Sequence, residues 1–157
     1  MSDRLLIYGS YGYTGALITQ KAVSDGLDPV VAGRTASKVE TQAVEYDLDY
    51  RVFSLQNDRI VADQVTEFDA VLNCAGPFER TADPLVDACV ETGTDYLDIT
   101  GEIGVFEALA ARDEEADEAG ITVLPGVGFD VVPTDSLAAH LADRLPEATD
   151  LRLGFQG

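Results

Sequence analysis

Short apolar runs alternate along this chain with longer stretches of helical periodicity. Arg4-Leu5-Leu6-Ile7-Tyr8 is a continuous apolar run that stops at Gly9, as expected of a central parallel strand buried on both faces. From Thr14 to Asp25, Ile18 and Ala22 recur at helical spacing, and Gly26 is a natural stop. Pro29-Val30-Val31-Ala32 predicts a second strand, and Ser37-Lys38-Val39-Glu40 has the form of a capping box opening a helix to about Tyr46. Tyr50 to Leu55 reads as the third strand, with Asn57 capping a helix through Phe68. Asp69 to Asn73 is the fourth strand. Asp83-Pro84 resembles an N-cap followed by proline in the first turn, in a helix that Gly93 ends. Tyr96 to Ile99 is the fifth strand, and a helix from about Ile103 to Ala119 turns Val105, Leu109 and Ala116 inward. Ile121 to Leu124 is the sixth strand, and a last helix carries Leu137, Leu141 and Leu145 at i, i+4, i+8.

Six strands each followed by a helix predict an α/β fold: a doubly wound parallel sheet in three layers, the Rossmann fold. The expected strand order is 3-2-1-4-5-6, with a ligand crevice at the carboxyl ends of strands 1 and 4. Residues 1–148 are expected to form this domain. Asp150 to Phe155 begins like another strand, so residues 149–157 are expected to start a second domain that continues beyond a truncated end.

Composition narrows the classes. A length of 157 residues suits one domain, and 46% hydrophobic with 25% charged residues is ordinary for a globular protein. No apolar run approaches the ~18–20 residues of a membrane span, and the first one is too short for a signal peptide. A cytoplasmic protein is expected. Charge is the unusual quantity: 29 acidic residues face 10 basic ones, and Lys21 and Lys38 are the two lysines. Such a surface suits a salt-rich, halophilic cytosol and repels nucleic acid and anionic membranes. Cys74 and Cys89 match no metal-ligand spacing and no disulfide framework.

The strongest chemical signal is Gly9-Ser10-Tyr11-Gly12-Tyr13-Thr14-Gly15, which follows the first strand and opens the first helix. Gly9 permits a tight turn, Gly12 lets the backbone approach a pyrophosphate, and Gly15 allows close helix–strand packing. The helix N-terminus adds free N–H groups and a positive dipole end for phosphates. The second strand selects the dinucleotide. NAD sites place a carboxylate at its tip for the ribose 2′-OH, but here Ala32-Gly33-Arg34-Thr35 stands there, with Ser37 and Lys38 just beyond. A guanidinium suits a 2′-phosphate, so NADP is the expected cofactor.

Across the crevice, Asn73-Cys74-Ala75-Gly76-Pro77-Phe78 ends the fourth strand with small residues that let a nicotinamide ribose approach, and Asn73 offers donor and acceptor groups. Cys74 reads as a wall or core cysteine, because no histidine lies nearby in sequence, and His140 reads as a residue of the last helix. Asp98 lies in a strand that should be buried, with Gly101-Glu102 following. Both carboxylates are candidates for the site or, equally, for capping neighbouring backbone N–H groups. Asp130, after Gly126-Val127-Gly128-Phe129, invites the same two readings. No tyrosine is followed by lysine four positions later, so the acid/base pair of short-chain dehydrogenases is missing.

Five segments together carry a resemblance: the Gly9–Gly15 loop, Ala32-Gly33-Arg34, Asn73 to Phe78, Tyr96 to Glu102, and Pro125 to Asp135. From Leu5 to about Phe155 the chain resembles the NADP-binding domain of the saccharopine dehydrogenase-like family, especially its trans-acting enoyl reductase branch. The resemblance implies that the Gly9–Gly15 loop holds the diphosphate and Arg34 the 2′-phosphate. It also implies that Asn73–Phe78 and Gly101-Glu102 line the nicotinamide side. A following α/β domain would close over the nicotinamide and form a homodimer. The implied reaction is hydride transfer between nicotinamide and an imine, amino-acid or enoyl-type small molecule. A non-catalytic NADP(H)-sensing module is the alternative reading.

Overall fold

In the computed structural model, residues 4–129 and 131–154 are described. Six strands form one parallel sheet, β1 (Leu5–Tyr8), β2 (Val30–Gly33), β3 (Tyr50–Val52), β4 (Ala70–Asn73), β5 (Asp95–Asp98) and β6 (Val123–Leu124). Their order is β3-β2-β1-β4-β5-β6, the order expected from the alternation. The helices are α1 (Tyr13–Ser24), α2 (Ala36–Tyr46), α3 (Asp58–Val65), α4 (Ala82–Thr92), α5 (Ile103–Ala110), α6 (Asp113–Ala119) and α7 (Val132–Arg144).

Side chains alternate across the strands and so divide between two helical layers. Leu6, Tyr8, Val30, Ala32, Val71 and Tyr96 face α3, α4 and α5 in the larger core. Val31, between Val30 and Ala32, points to the opposite face and packs on Val39 and Ala43 of α2. The register pairs Tyr8 with Asn73 and Asn73 with Asp98. Three polar-tipped side chains therefore lie abreast at the carboxyl edge of the sheet.

The local signals hold to differing degrees. Asn57 caps α3 as expected, its side chain accepting from the Ile60 amide. The other two expected caps are displaced. α2 begins at Ala36, so Ser37 sits inside the first turn and makes no cap, and the preceding Thr35 hydroxyl accepts from Tyr11 instead. α4 begins at Ala82, which puts Asp83 inside the helix, while the Thr81 hydroxyl is spent on the Ala75 carbonyl. The single helix expected from Ile103 to Ala119 is broken at Ala111-Arg112, where Arg112 pairs with Asp87 and Glu115. Val105, Leu109 and Ala116 are nevertheless all buried. Beyond α7, which buries none of its own residues, Asp150–Gly154 forms no strand; Phe155 lies outside the described residues.

Charge repulsion should be the salt-sensitive component of stability. With a formal net charge of −19, many carboxylates repel one another at separations near the Debye length, about 10 Å at 0.1 M and about 3 Å at 1 M salt. The thermal midpoint is expected to rise substantially between 0.1 M and 2 M KCl, measured by circular dichroism. Sodium sulfate at matched ionic strength should act alike at low salt and diverge only near molar levels. A midpoint flat across the KCl series would contradict a stability role for screening.

Candidate cofactor site

A groove of about 590 Å³ opens along the carboxyl ends of β1, β2 and β4, within the size range of ordinary ligand sites. One wall is the turn from β1 into α1. Gly9 has φ of +78°, and a Cβ there would lie 2.8 Å from the backbone nitrogen of Ala75. A Cβ on Gly15 would lie 2.4 Å from the Gly9 carbonyl oxygen, so both positions demand the absence of a side chain. Gly12 differs. Its hypothetical Cβ would meet only the Gly9 oxygen, at 3.2 Å. Gly12 precedes α1 without any side-chain cap, which leaves the first-turn amides available to an anion.

The opposite wall is Cys74-Ala75-Gly76-Pro77, held from beneath by a buried polar chain. The Asn73 amide donates to Thr81 Oγ1 and Tyr96 Oη, each at 3.1 Å, and its Oδ1 accepts from the Ala75 amide at 3.0 Å. Tyr96 in turn donates to Asp98 Oδ2 at 3.0 Å. Asp98 Oδ1 accepts from the amides of Thr100 and Gly126, both at 2.9 Å. The chain of contacts resumes at Thr100 Oγ1, which accepts from the Glu102 amide. The Glu102 carboxylate then accepts from the amides of Phe78 and Glu79 at 2.8 and 3.0 Å. The carboxyl ends of β4 and β5 and the tight turn Phe78–Arg80 are thus locked to one another.

Electrostatics sorts the groove's titratable groups. Burial, and then the nearby Asp98 charge, pushes the Cys74 thiol up to about 12. The thiolate is the nucleophile, so this rise makes Cys74 a poor nucleophile near neutral pH. Burial also pushes the Tyr8 phenol up to about 12, with Tyr11 adding to the rise and Arg34 opposing it. Tyr8 donates to the Phe53 carbonyl. At the tip of β2, Arg34 is exposed and lines the groove. Among the described residues no hydrogen bond or ion pair occupies its guanidinium.

A family model for the saccharopine dehydrogenase NADP binding domain matches residues 5–124, from β1 through β6. The chain belongs to this family. Saccharopine dehydrogenase-like oxidoreductase of Mus musculus is 28% identical over 151 residues, covering 83% of this chain and 35% of the relative. Trans-acting enoyl reductase of Mycobacterium ulcerans is 27% identical over 151 residues, covering 91% of this chain and 36% of the relative. The chain therefore spans about a third of the length of these relatives. Among solved structures, apo saccharopine dehydrogenase (L-Glu forming) of Saccharomyces cerevisiae superposes with a TM-score of 0.78 at 21% identity, covering 94% of this chain and 32% of that one. That likeness establishes the shared fold.

The cofactor of this saccharopine dehydrogenase NADP-binding domain is NADP, and the residues present fit it. The glycine turn is a cradle that side chains would fill, and Arg34, which makes no ion pair among the described residues, stands where the 2′-phosphate is expected. Of the residues expected from sequence, Gly9, Tyr11, Gly12, Arg34, Cys74, Ala75, Gly76 and Pro77 line the groove. Ser10 is buried, its hydroxyl donating to the Ala32 carbonyl, and Gly15 is packed beneath the turn. Tyr13 and Thr14 point to solvent from α1, and Ser37 and Lys38 are exposed on α2. Four residues expected on the nicotinamide side lie off the groove lining. Asn73 is fully buried, and its amide is consumed in supporting the wall. Phe78 and Glu102 brace the turn, because the Glu102 carboxylate is spent on backbone amides. Gly101 lies outside the groove lining. For Asp98, too, the geometry selects the reading in which it accepts from backbone N–H groups. Asp130 lies outside the described residues.

Sequence reasoning missed Tyr8, Gly33, Ser54, Leu55, Gln56, Arg80 and Thr81, all of which line the groove. The third strand was expected to reach Leu55 but ends at Val52, which releases Ser54–Gln56 into a groove-facing loop. The proline that opens the Phe78–Arg80 turn was the available signal for Arg80 and Thr81.

Proposed function

We propose that this chain is the cofactor-holding part of an NADP-dependent oxidoreductase whose substrate is an imine, amino-acid or enoyl-type small molecule. The observation that carries this reading is Arg34, without an ion-pair partner among the described residues, in a groove walled by the glycine turn and the Cys74–Pro77 segment. The relatives' names, a dehydrogenase-like oxidoreductase and an enoyl reductase, support the reaction class. When bound, NADPH supplies the hydride at nicotinamide C4. The chain's own residues bind and orient. The α1 amides and the Gly12 backbone take the diphosphate, Arg34 takes the 2′-phosphate, and the Cys74–Pro77 wall takes the nicotinamide side.

Burial raises the Tyr8 phenol and the Cys74 thiol, which disfavours either as a base toward substrate at neutral pH, and the Tyr8 hydroxyl already donates to the Phe53 carbonyl. We assign proton transfer and dimer formation to a second domain beginning near residue 149. The 157-residue chain is expected to bind NADPH yet show no steady-state turnover with imine, amino-acid or enoyl substrates in a spectrophotometric assay. Sustained substrate-dependent NADPH oxidation by this chain alone would overturn the assignment.

A further inference from the structure

Tyr11 is the one large side chain in the glycine turn that reaches across to the β2–α2 connection. Its phenol donates to Thr35 Oγ1 at 3.2 Å, and the Lys38 ammonium lies over its ring, 5.5 Å from the centroid. The ring also covers Gly33. A Cβ at that position would come within 2.5 Å of Tyr11 Cε1, so the tip of β2 must be bare for Tyr11 to lie there. Tyr11 also packs against the Val31, Val39 and Ala43 cluster. One side chain that lines the groove with Arg34 therefore holds both the hydroxyl of Thr35, the next residue in the chain, and the ammonium of Lys38 in the first turn of α2.

We propose that Tyr11 is a specificity-determining residue, which assembles Thr35 and Lys38 with Arg34 into a receptor for the 2′-phosphate of the cofactor. The three groups suit a dianion. Arg34 supplies a planar fork of donors, Lys38 a point charge, and Thr35 a hydroxyl whose proton is free to turn outward because its oxygen already accepts from Tyr11. Without Tyr11, Lys38 is a long side chain on an exposed helix face and must be ordered when the ligand binds, which weakens binding. A cofactor lacking the 2′-phosphate gains nothing from this arrangement.

The inference rests on the groove being an NADP site, and the two are separable. Binding of NADPH to the unaltered chain tests the groove, and the response of Tyr11 variants tests the receptor. Adenosine 2′,5′-bisphosphate and AMP isolate the subsite, since they differ in the 2′-phosphate and carry no nicotinamide. By calorimetry, Tyr11→Phe is expected to weaken NADPH and the bisphosphate by about 3- to 10-fold, the loss of one hydrogen bond. Tyr11→Ala should weaken them by about 10- to 50-fold, as the cation–π contact is lost as well. Gly33→Ala, which displaces the ring, should mimic Tyr11→Ala. NADPH and the bisphosphate should lose at least about 3-fold more than NADH and AMP do in every variant. Circular dichroism establishes folding, and Tyr11→Phe retains the packing should Tyr11→Ala fail to fold. Equal losses for NADPH and NADH would make Tyr11 a strut of the glycine turn, and unchanged affinity for the bisphosphate would leave it no role; either result overturns the proposal.

Discussion

Gly12→Val is expected to leave the domain folded and weaken NADPH and NADH alike by more than about 100-fold, a loss of about 3 kcal/mol or more. The free protein takes the new side chain only if the Gly9 carbonyl gives by a few tenths of an ångström. A Cβ at position 12 meets only the Gly9 oxygen, at 3.2 Å, and the backbone there has φ of −68°, which any residue adopts. The space that valine fills is the groove side of the turn, where the backbone must approach a diphosphate closely. The contrast with Gly15 sharpens the test. A side chain at Gly15 runs into the Gly9 and Ser10 backbone at 2.4–2.9 Å, so Gly15→Val should damage the fold itself. Thermal melts separate the two variants, and calorimetry reads the affinities. Normal NADPH binding by a folded Gly12→Val protein would reduce the glycine sequence to a plain turn.

The largest effect on stability is expected at Asp98, which is fully buried. Its carboxylate accepts from the Tyr96 hydroxyl and from the amides of Thr100 and Gly126. Asp98→Ala strands two buried N–H groups and one hydroxyl, each of which costs about 1–3 kcal/mol when left unsatisfied. The Tyr96 oxygen keeps its bond from Asn73, so the total should be about 3–5 kcal/mol, a fall of about 10–15 °C in midpoint at this size. Asp98→Asn retains an oxygen for the two amides but turns an N–H₂ toward a hydroxyl that already accepts from Asn73. Its cost should be smaller, about 1–2 kcal/mol. Chemical denaturation checks both. An Asp98→Ala protein as stable as the parent would mean that the buried network does not hold the β4 and β5 loops.

The fold was legible because its signals are local and repeated. Apolar runs such as Leu5–Tyr8 and Val30–Ala32 mark central strands by composition, and right-handed crossovers leave few ways to order six of them. The glycine turn was legible for the same reason: its spacing and its place between a strand and a helix lie in one continuous segment. What escaped depends on registration between distant segments. Whether Asp98 faces a ligand or backbone amides is decided by Gly126, 28 residues away, and by the alignment of β5 against Asn73 on β4. The caps expected at Ser37 and Asp83 failed because hydroxyls just before each helix were claimed by tertiary partners, Tyr11 for Thr35 and Ala75 for Thr81. Leu137 and Leu145 illustrate the remaining limit, since both stay largely exposed despite helical spacing, and periodicity alone names no partner.

Recognition of a 2′-phosphate by Arg34 is the proposed basis on which this groove selects its dinucleotide. The most direct test is calorimetric titration of the chain and of its Arg34→Ala variant with NADPH and with NADH in the same KCl buffer. Loss of one charge-assisted contact costs about 1.5–3 kcal/mol. The unaltered chain is therefore expected to prefer NADPH by at least about tenfold, and Arg34→Ala to weaken NADPH by about 10- to 150-fold while leaving NADH nearly unchanged. Equal affinities for the two cofactors in the unaltered chain, or a proportional loss of both in Arg34→Ala, would contradict it.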